Sequence, residues 1–221
     1  MFLRYSGLLF IFVFACAQAK ATELAKPSIA RQFVNLPLAF ERQPSDSVAQ
    51  YVAHGQGYQI YLSSAGALIR VQPAPGAAAG EVFMEFAGGR TTKALAGPEL
   101  PGKVNYILGN DPRQWQLSLP TYERVTYQQV YPGVDLVYRG NQRQLEFDLM
   151  LQPGTDVGAA RLKLTGARGL RLDANGALVL GTDAGDMTIG APEIYQEVGG
   201  ARKAVRGRYK LLRHGEVAFQ V

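Results

Sequence analysis

Between Gln144 and Leu151 the chain alternates: Leu145, Phe147, Leu149 and Leu151 are apolar, and Gln144, Glu146 and Asp148 between them are polar, with Met150 the one interruption. A period of two marks a strand with one face in a core and the other in water, and it does not fit a helix, whose side chains repeat every ~3.6 residues. Val134, Leu136 and Tyr138 repeat the pattern just upstream. The connection Arg139-Gly140-Asn141-Gln142 contains Gly and Asn, which tolerate positive φ, so the two runs predict an antiparallel hairpin. Residues 100–156 hold the cleanest alternation and the densest turn chemistry, and the rest of the chain is read outward from them.

Short runs of the same kind recur on both sides. Residues 51–55, 57–63 and 66–71 predict a meander turning at Gly55-Gln56-Gly57 and Ser64-Ala65-Gly66. Residues 72–80 (QPAPGAAAG) have little to pack and read as a loop inserted in one domain, because the strand pattern resumes at 81–86. Further strands are expected at 161–164, 170–173, 177–180, 187–189, 193–198, 205–212 and 216–221, and no stretch beyond about two turns has helical periodicity. With 25 Gly, 12 Pro and 47% hydrophobic residues in 221, the composition excludes a disordered chain and fits many strands joined by tight turns. The expected fold is all-β, an antiparallel β-sandwich-like module of short strands and hairpins over 36–221. The region after Pro153-Gly154 is open to being a second lobe, since no composition shift decides it.

The first 19 residues read as a secretory signal that stays outside the fold. Arg4 supplies the positive start, residues 8–15 (LLFIFVFA) an apolar core too short to span a bilayer, and Ala17-Gln18-Ala19 a small-x-small cleavage site. Mature protein would begin at Lys20, with 20–35 as a flexible leader, and would be extracellular, at the cell surface or periplasmic. The run before Cys16 is a weak lipoprotein box, the competing reading, in which Cys16 is lipidated. Cleavage after Ala19 removes the only cysteine, and a core of this size needs no disulfide.

Asn105-Tyr106, Gly109-Asn110-Asp111-Pro112, Trp115, Tyr131-Pro132-Gly133, Asp135 and Leu145-Glu146-Phe147-Asp148 occur in the order found in a known family. On these residues the chain resembles the uncharacterised all-β domain near the N-terminus of secreted bacterial proteins that carry SBBP-type β-propeller repeats. The resemblance extends from about Leu36 to the end, with a shortened turn at Arg42-Gln43-Pro44-Ser45-Asp46. It implies an exported domain and carries no catalytic residues. Relatives run on beyond the position of Val221, so a longer surface protein is expected, or a module that docks a partner or its own copy along a last strand at 216–221 left as an open edge.

Few constellations carry chemistry. Glu146 and Asp148 share a strand face about 6.8 Å apart, by a rise of ~3.4 Å per residue, near the spacing of glycosidase carboxylates; a solvated strand face explains them more simply. Asp173-x-Asn175-Gly176 lacks the ligand series of a calcium loop and reads as a hairpin turn, and His54 and His214 stand alone beside glycines. There is no G-x-S-x-G, P-loop or G-x-G-x-x-G, so no catalytic, cofactor-binding or metal-ligating residue is expected. The net charge is +5, with basic residues concentrated near the end. Arg202, Arg206, Arg208 and Lys210 share a parity that gives one strand a basic outer face, either a patch for an anionic glycan or acidic partner or simply protection against edge pairing. Nothing suggests nucleic-acid binding. The expected function is a non-catalytic exported structural or interaction module, with a carbohydrate-binding sandwich using Trp115, Tyr122, Tyr127, Tyr131 and Tyr138 as the alternative and a hydrolase as the third class.

Overall fold

A computed structural model describes the backbone of residues 8–16, and residues 36–44, 48–72, 76–141 and 144–221 with their side chains. Within these residues the chain makes two antiparallel sheets of ten strands each, with three short 3-10 turns and no α-helix. The proposed cleavage site at Ala17-Gln18-Ala19 and the leader at 20–35 lie outside the described residues.

Strand β1 (Leu8–Cys16) enters the first sheet, and β2 (Phe40–Arg42) opens the second. The predicted meander follows as β3 (Tyr51–Gly55), β4 (Tyr58–Ser63), β5 (Gly66–Val71) and β6 (Gly80–Phe86), each paired with the next. Its apolar positions fall in register, Ile60 beside Ile69 and Ile69 beside Val82, so alternate side chains stack into one buried layer. After β7 (Ala94–Ala96), the chain makes β8 (Glu99–Tyr106) and β9 (Gln116–Tyr122), which extend the second sheet beyond β2.

The central hairpin is preceded by β10 (Val125–Tyr131) and consists of β11 (Val134–Asn141) and β12 (Gln144–Leu151). Strand β11 runs three residues, Arg139 to Asn141, into the expected connection, while β12 starts at Gln144 as the alternation predicts. A Cβ on Gly140 would lie 2.2 Å from the Gln144 carbonyl oxygen, so this glycine is needed for close approach between the strands rather than for a turn. Tyr138 stands opposite Phe147, Leu136 opposite Leu149 and Val134 opposite Leu151, all buried against the second sheet.

The last third consists of β13 (Arg161–Thr165), β14 (Gly169–Leu172), β15 (Leu178–Thr182), β16 (Gly185–Ile189), β17 (Glu193–Val198), β18 (Ala201–Val205), β19 (Arg208–Leu211) and β20 (Glu216–Gln220). The first sheet runs β14-β15-β16-β1-β12-β11-β10-β7, with β17 also on β1 and β18 on β17; the second runs β19-β20-β13-β6-β5-β4-β3-β2-β9-β8. Strands after Asp156 therefore enter both sheets and share a buried cluster with the earlier ones.

In the full chain the backbone of the apolar run at Leu8–Cys16 lies in the middle of the first sheet, paired with β12 over eight residues and with β17 over five. Two expectations are corrected. Residues 205–212 are not one strand, because the chain crosses from the first sheet to the second at Arg206-Gly207, where a Cβ on Gly207 would lie 2.1 Å from Ile194 Cδ1. The last strand is not an open edge, since β20 pairs with β13 on one side and β19 on the other, and β19 is the edge.

Candidate functional site

The outward face of the central hairpin carries the most unusual chemistry of the described residues. Arg139 on β11 stands directly opposite Glu146 on β12, and its guanidinium reaches both acids. Nη1 lies 2.5 Å from Glu146 Oε2, and Nε donates to Asp148 Oδ2 at 2.7 Å. Glu146 is only 8% exposed and Asp148 7%, so neither belongs to a solvated face. Burial raises both carboxyls above their ordinary values, and the Arg139 charge offsets only part of that rise.

The strand beyond β1 adds to this face. Glu193 and Tyr195 of β17 stand opposite the positions of Phe12 and Phe10, which in turn stand opposite Asp148 and Met150. Arg202 on β18 lies 4.5 Å over the Tyr195 ring, and its Nε donates to Glu197 at 3.4 Å. The arrangement is an ordered band of charge across β11, β12, β17 and β18. Its two best-buried acids are paired to one guanidinium across the hairpin, an arrangement that favours this register.

Sequence reasoning placed Arg139 in the turn and missed this cluster. The signal was present: pairing Asn141 with Gln144 puts residue 139 opposite 146, an opposite-charge pair of the kind that stabilises antiparallel strands.

Residues 39–221 match a family described as a domain of unknown function, DUF7948. The chain belongs to the DUF7948 family. No curated protein and no solved structure matches it. The matched region contains every strand from β2 to β20, whereas β1, in the middle of the first sheet, lies outside it.

Several singled-out residues of the DUF7948 domain build its turns. Asp111 Oδ1 accepts from Arg113 N at 3.1 Å, Trp115 Nε1 donates to the Gly109 carbonyl at 3.3 Å, and Asp135 Oδ1 accepts from Gln129 N at 2.7 Å. Asp173 Oδ1 accepts from the backbone N–H groups of Asn175 and Ala177, each at 2.8 Å, in the turn between β14 and β15. His54 sits at the end of β3, 4.0 Å from the buried Glu41, which also accepts a hydrogen bond from Tyr106. That acceptor and partial burial push the Tyr106 phenol up to about 12, burial being the larger cause. His214 is exposed in the turn before β20. Among the described residues no three His, Cys, Asp or Glu side chains gather where a metal could be held.

Of the proposed aromatic platforms, Tyr127, Tyr131 and Tyr138 are buried in the core, and only Tyr122 and Trp115 are partly exposed. The Tyr127 and Tyr138 rings meet edge-on at 6.0 Å beside a cleft of about 450 Å³, and their hydroxyls have no hydrogen-bond partner among the described residues. Arg202, Arg206, Arg208 and Lys210 are all exposed. They are divided between the sheets, Arg202 on β18 and Arg208 with Lys210 on β19, with Arg206 at the crossing, so they do not form the face of a single strand.

Proposed function

We propose that this chain is a non-catalytic exported module of a bacterial cell-surface or secreted protein, one that works by binding another protein rather than by transforming a substrate. The observation that carries the reading is the commitment of Glu146 and Asp148, the acids best placed for catalysis by spacing, to Arg139 in a buried register-fixing cluster. Export is supported by the basic start, apolar run and small-x-small site at the N-terminus, and by the resemblance to domains found beside SBBP-type β-propeller repeats. The exposed Arg202, Arg206, Arg208 and Lys210 span a sheet boundary and suit an acidic partner surface or an anionic glycan. A carbohydrate-stacking role has less to stand on, because three of its five aromatic side chains are buried.

The test is to recover the protein from outside a producing bacterium and read its N-terminus by mass spectrometry, then screen that material on a glycan array and against chromogenic glycosides. A start at Lys20 with no turnover is expected. Intact Met1 on protein confined to the cytoplasm would overturn export, and glycoside turnover lost in Glu146→Gln would overturn the non-catalytic assignment.

A further inference from the structure

Among the described residues, strand β1 is the only hydrogen-bonded link among three parts of the first sheet: β7-β10-β11-β12, β14-β15-β16 and β17-β18. It pairs along Leu9 to Cys16 with β12, along Leu8 to Phe12 with β17, and at Ala15 and Cys16 with β16. The segment that joins the sheet has the pattern of a leader, and it lies outside the matched 39–221 region. If the leader is cut off, the N–H and C=O rows of β12 and of β17 lose their partners across a gap one strand wide, about 10 Å between strands at ~4.8 Å spacing. Backbone groups in such a gap are a strong template for an added strand, because main-chain pairing supplies the attraction and alternate side chains the selectivity.

The geometry points to this gap as a strand-acceptor slot, filled after export by an extended segment of another polypeptide that takes the place of Leu8–Cys16. This inference rests on the export reading above. The register specifies the occupant. Positions equivalent to 9, 11, 13 and 15 stand opposite Leu151, Leu149, Phe147 and Leu145, all core-facing, so the incoming strand is apolar at every second residue. The positions between them share the charged face. The place of residue 12 lies between Asp148 and Glu193, and the flanking strands carry Glu146, Asp148, Glu193 and Glu197 against Arg139 and Arg202. An acidic residue at that place is disfavoured, and Lys or Arg is accepted there. The occupant is thus an eight- or nine-residue strand with apolar residues on one face and a central cation on the other.

The probe is a synthetic peptide of that register: Leu, Ile, Val and Ala at the places of residues 9, 11, 13 and 15, Lys at 12, and Thr at the rest. Two preparations are used, the exported protein with its N-terminus read by mass, and the full 221-residue chain carrying Ile11→Asp and Val13→Asp, which sets charges at the register positions of Leu149 and Phe147 and disfavours pairing of its own strand. In both, the probe is expected to bind one to one and to slow amide exchange simultaneously in Gln144–Leu151 and Glu193–Val198. Moving the apolar residues by one place, or replacing the central Lys by Glu, is expected to weaken binding at least tenfold. If the double variant does not fold alone, refolding rescued by the probe and not by its shifted control supports the slot, and no rescue overturns it. Protection on only one of the two strands, or equal binding of the shifted peptide, also overturns it. Probe-free exported protein that is dimeric and already protected in both strands would show a second copy as the occupant and overturn the assignment to another polypeptide. Exported protein that keeps Leu8–Cys16 would overturn leader removal alone, while the double variant still decides whether the slot takes a strand in trans.

Discussion

Strands β3 to β6 and strands β1, β12 and β17 are all antiparallel sheet, yet they are assembled by different means. In the meander each strand pairs with the next one along the chain, across turns of two residues at Gln56-Gly57 and Ser64-Ala65 and a longer loop before β6. Closing such short loops costs little entropy, so the pairing needs no help from distant parts. At the centre of the first sheet, β12 lies between its hairpin partner β11 and a strand from the far N-terminal end, and among the described residues β17 reaches the sheet only through that same strand. The comparison teaches that one fold can contain a meander built from consecutive strands and a sheet whose middle is supplied from elsewhere. Among the described residues, two of the three buried carboxylates, Glu146 and Asp148, lie in the supplied region, and the third, Glu41, lies on β2 of the second sheet.

The contrast can be broken first at its strongest point. Phe147→Asp puts an unpaired charge on a fully buried position of β12 and is expected to abolish cooperative unfolding, whereas Ile60→Ala in the meander, a loss of about 3 kcal/mol, should leave a cooperative transition at lower denaturant. Circular dichroism of both variants through a urea titration checks this. A cooperative Phe147→Asp protein would mean that the centre of the first sheet is dispensable.

Next in size is Arg139→Ala, which leaves Glu146 and Asp148 buried without their cation. A cost of about 3 kcal/mol at neutral pH is expected, at the low end for a broken buried pair because Arg139 is partly exposed. Both acids already have carboxyls raised by burial, and losing Arg139 raises them further. An acid whose folded value lies above its unfolded one contributes most stability when protonated, below its ordinary range, and loses that contribution as pH rises through the folded value. The variant should therefore recover stability relative to wild type as pH falls from neutral towards the ordinary carboxylate range. A cost that does not change with pH would show that the acids are not the source of the loss.

Asp148→Asn is smaller, because the amide keeps the shape and removes the charge. The loss of one charge-assisted bond to Arg139 is expected to cost about 1.5 kcal/mol, clearly more than the ~0.5 kcal/mol limit of a surface substitution that a solvated strand face would have implied. Urea midpoints at neutral pH distinguish the two values. Smallest of all is Lys210→Ala on the exposed edge strand β19, expected to stay within about 0.5 kcal/mol although it removes the same formal charge as Arg139→Ala. A larger effect in a monomeric sample would place Lys210 in a folded-state interaction.

Much of the architecture was legible. The meander, the central hairpin and most later strands stand within one or two residues of where alternation and turn residues put them, since period-two patterning and Gly or Asx turns are local properties. The candidate site was legible only in part. The parity of Glu146 and Asp148 correctly put them on the face away from Phe147, but parity does not say what covers that face, and Arg139 was hidden by its place next to a turn.

What the sequence determined by itself is therefore the set of strands, the two faces of each and most of the hairpins, because these depend on spacings of a few residues. Only the tertiary structure decided which strands lie at an edge, that the break at Arg206-Gly207 sends one basic run into two sheets, and that an apolar run with the pattern of a leader completes the first sheet beside β12 and β17. These outcomes turn on pairing between segments distant in the chain. Main-chain hydrogen bonds are the same for every residue type except proline, so a strand's pattern reveals its faces without naming its neighbours.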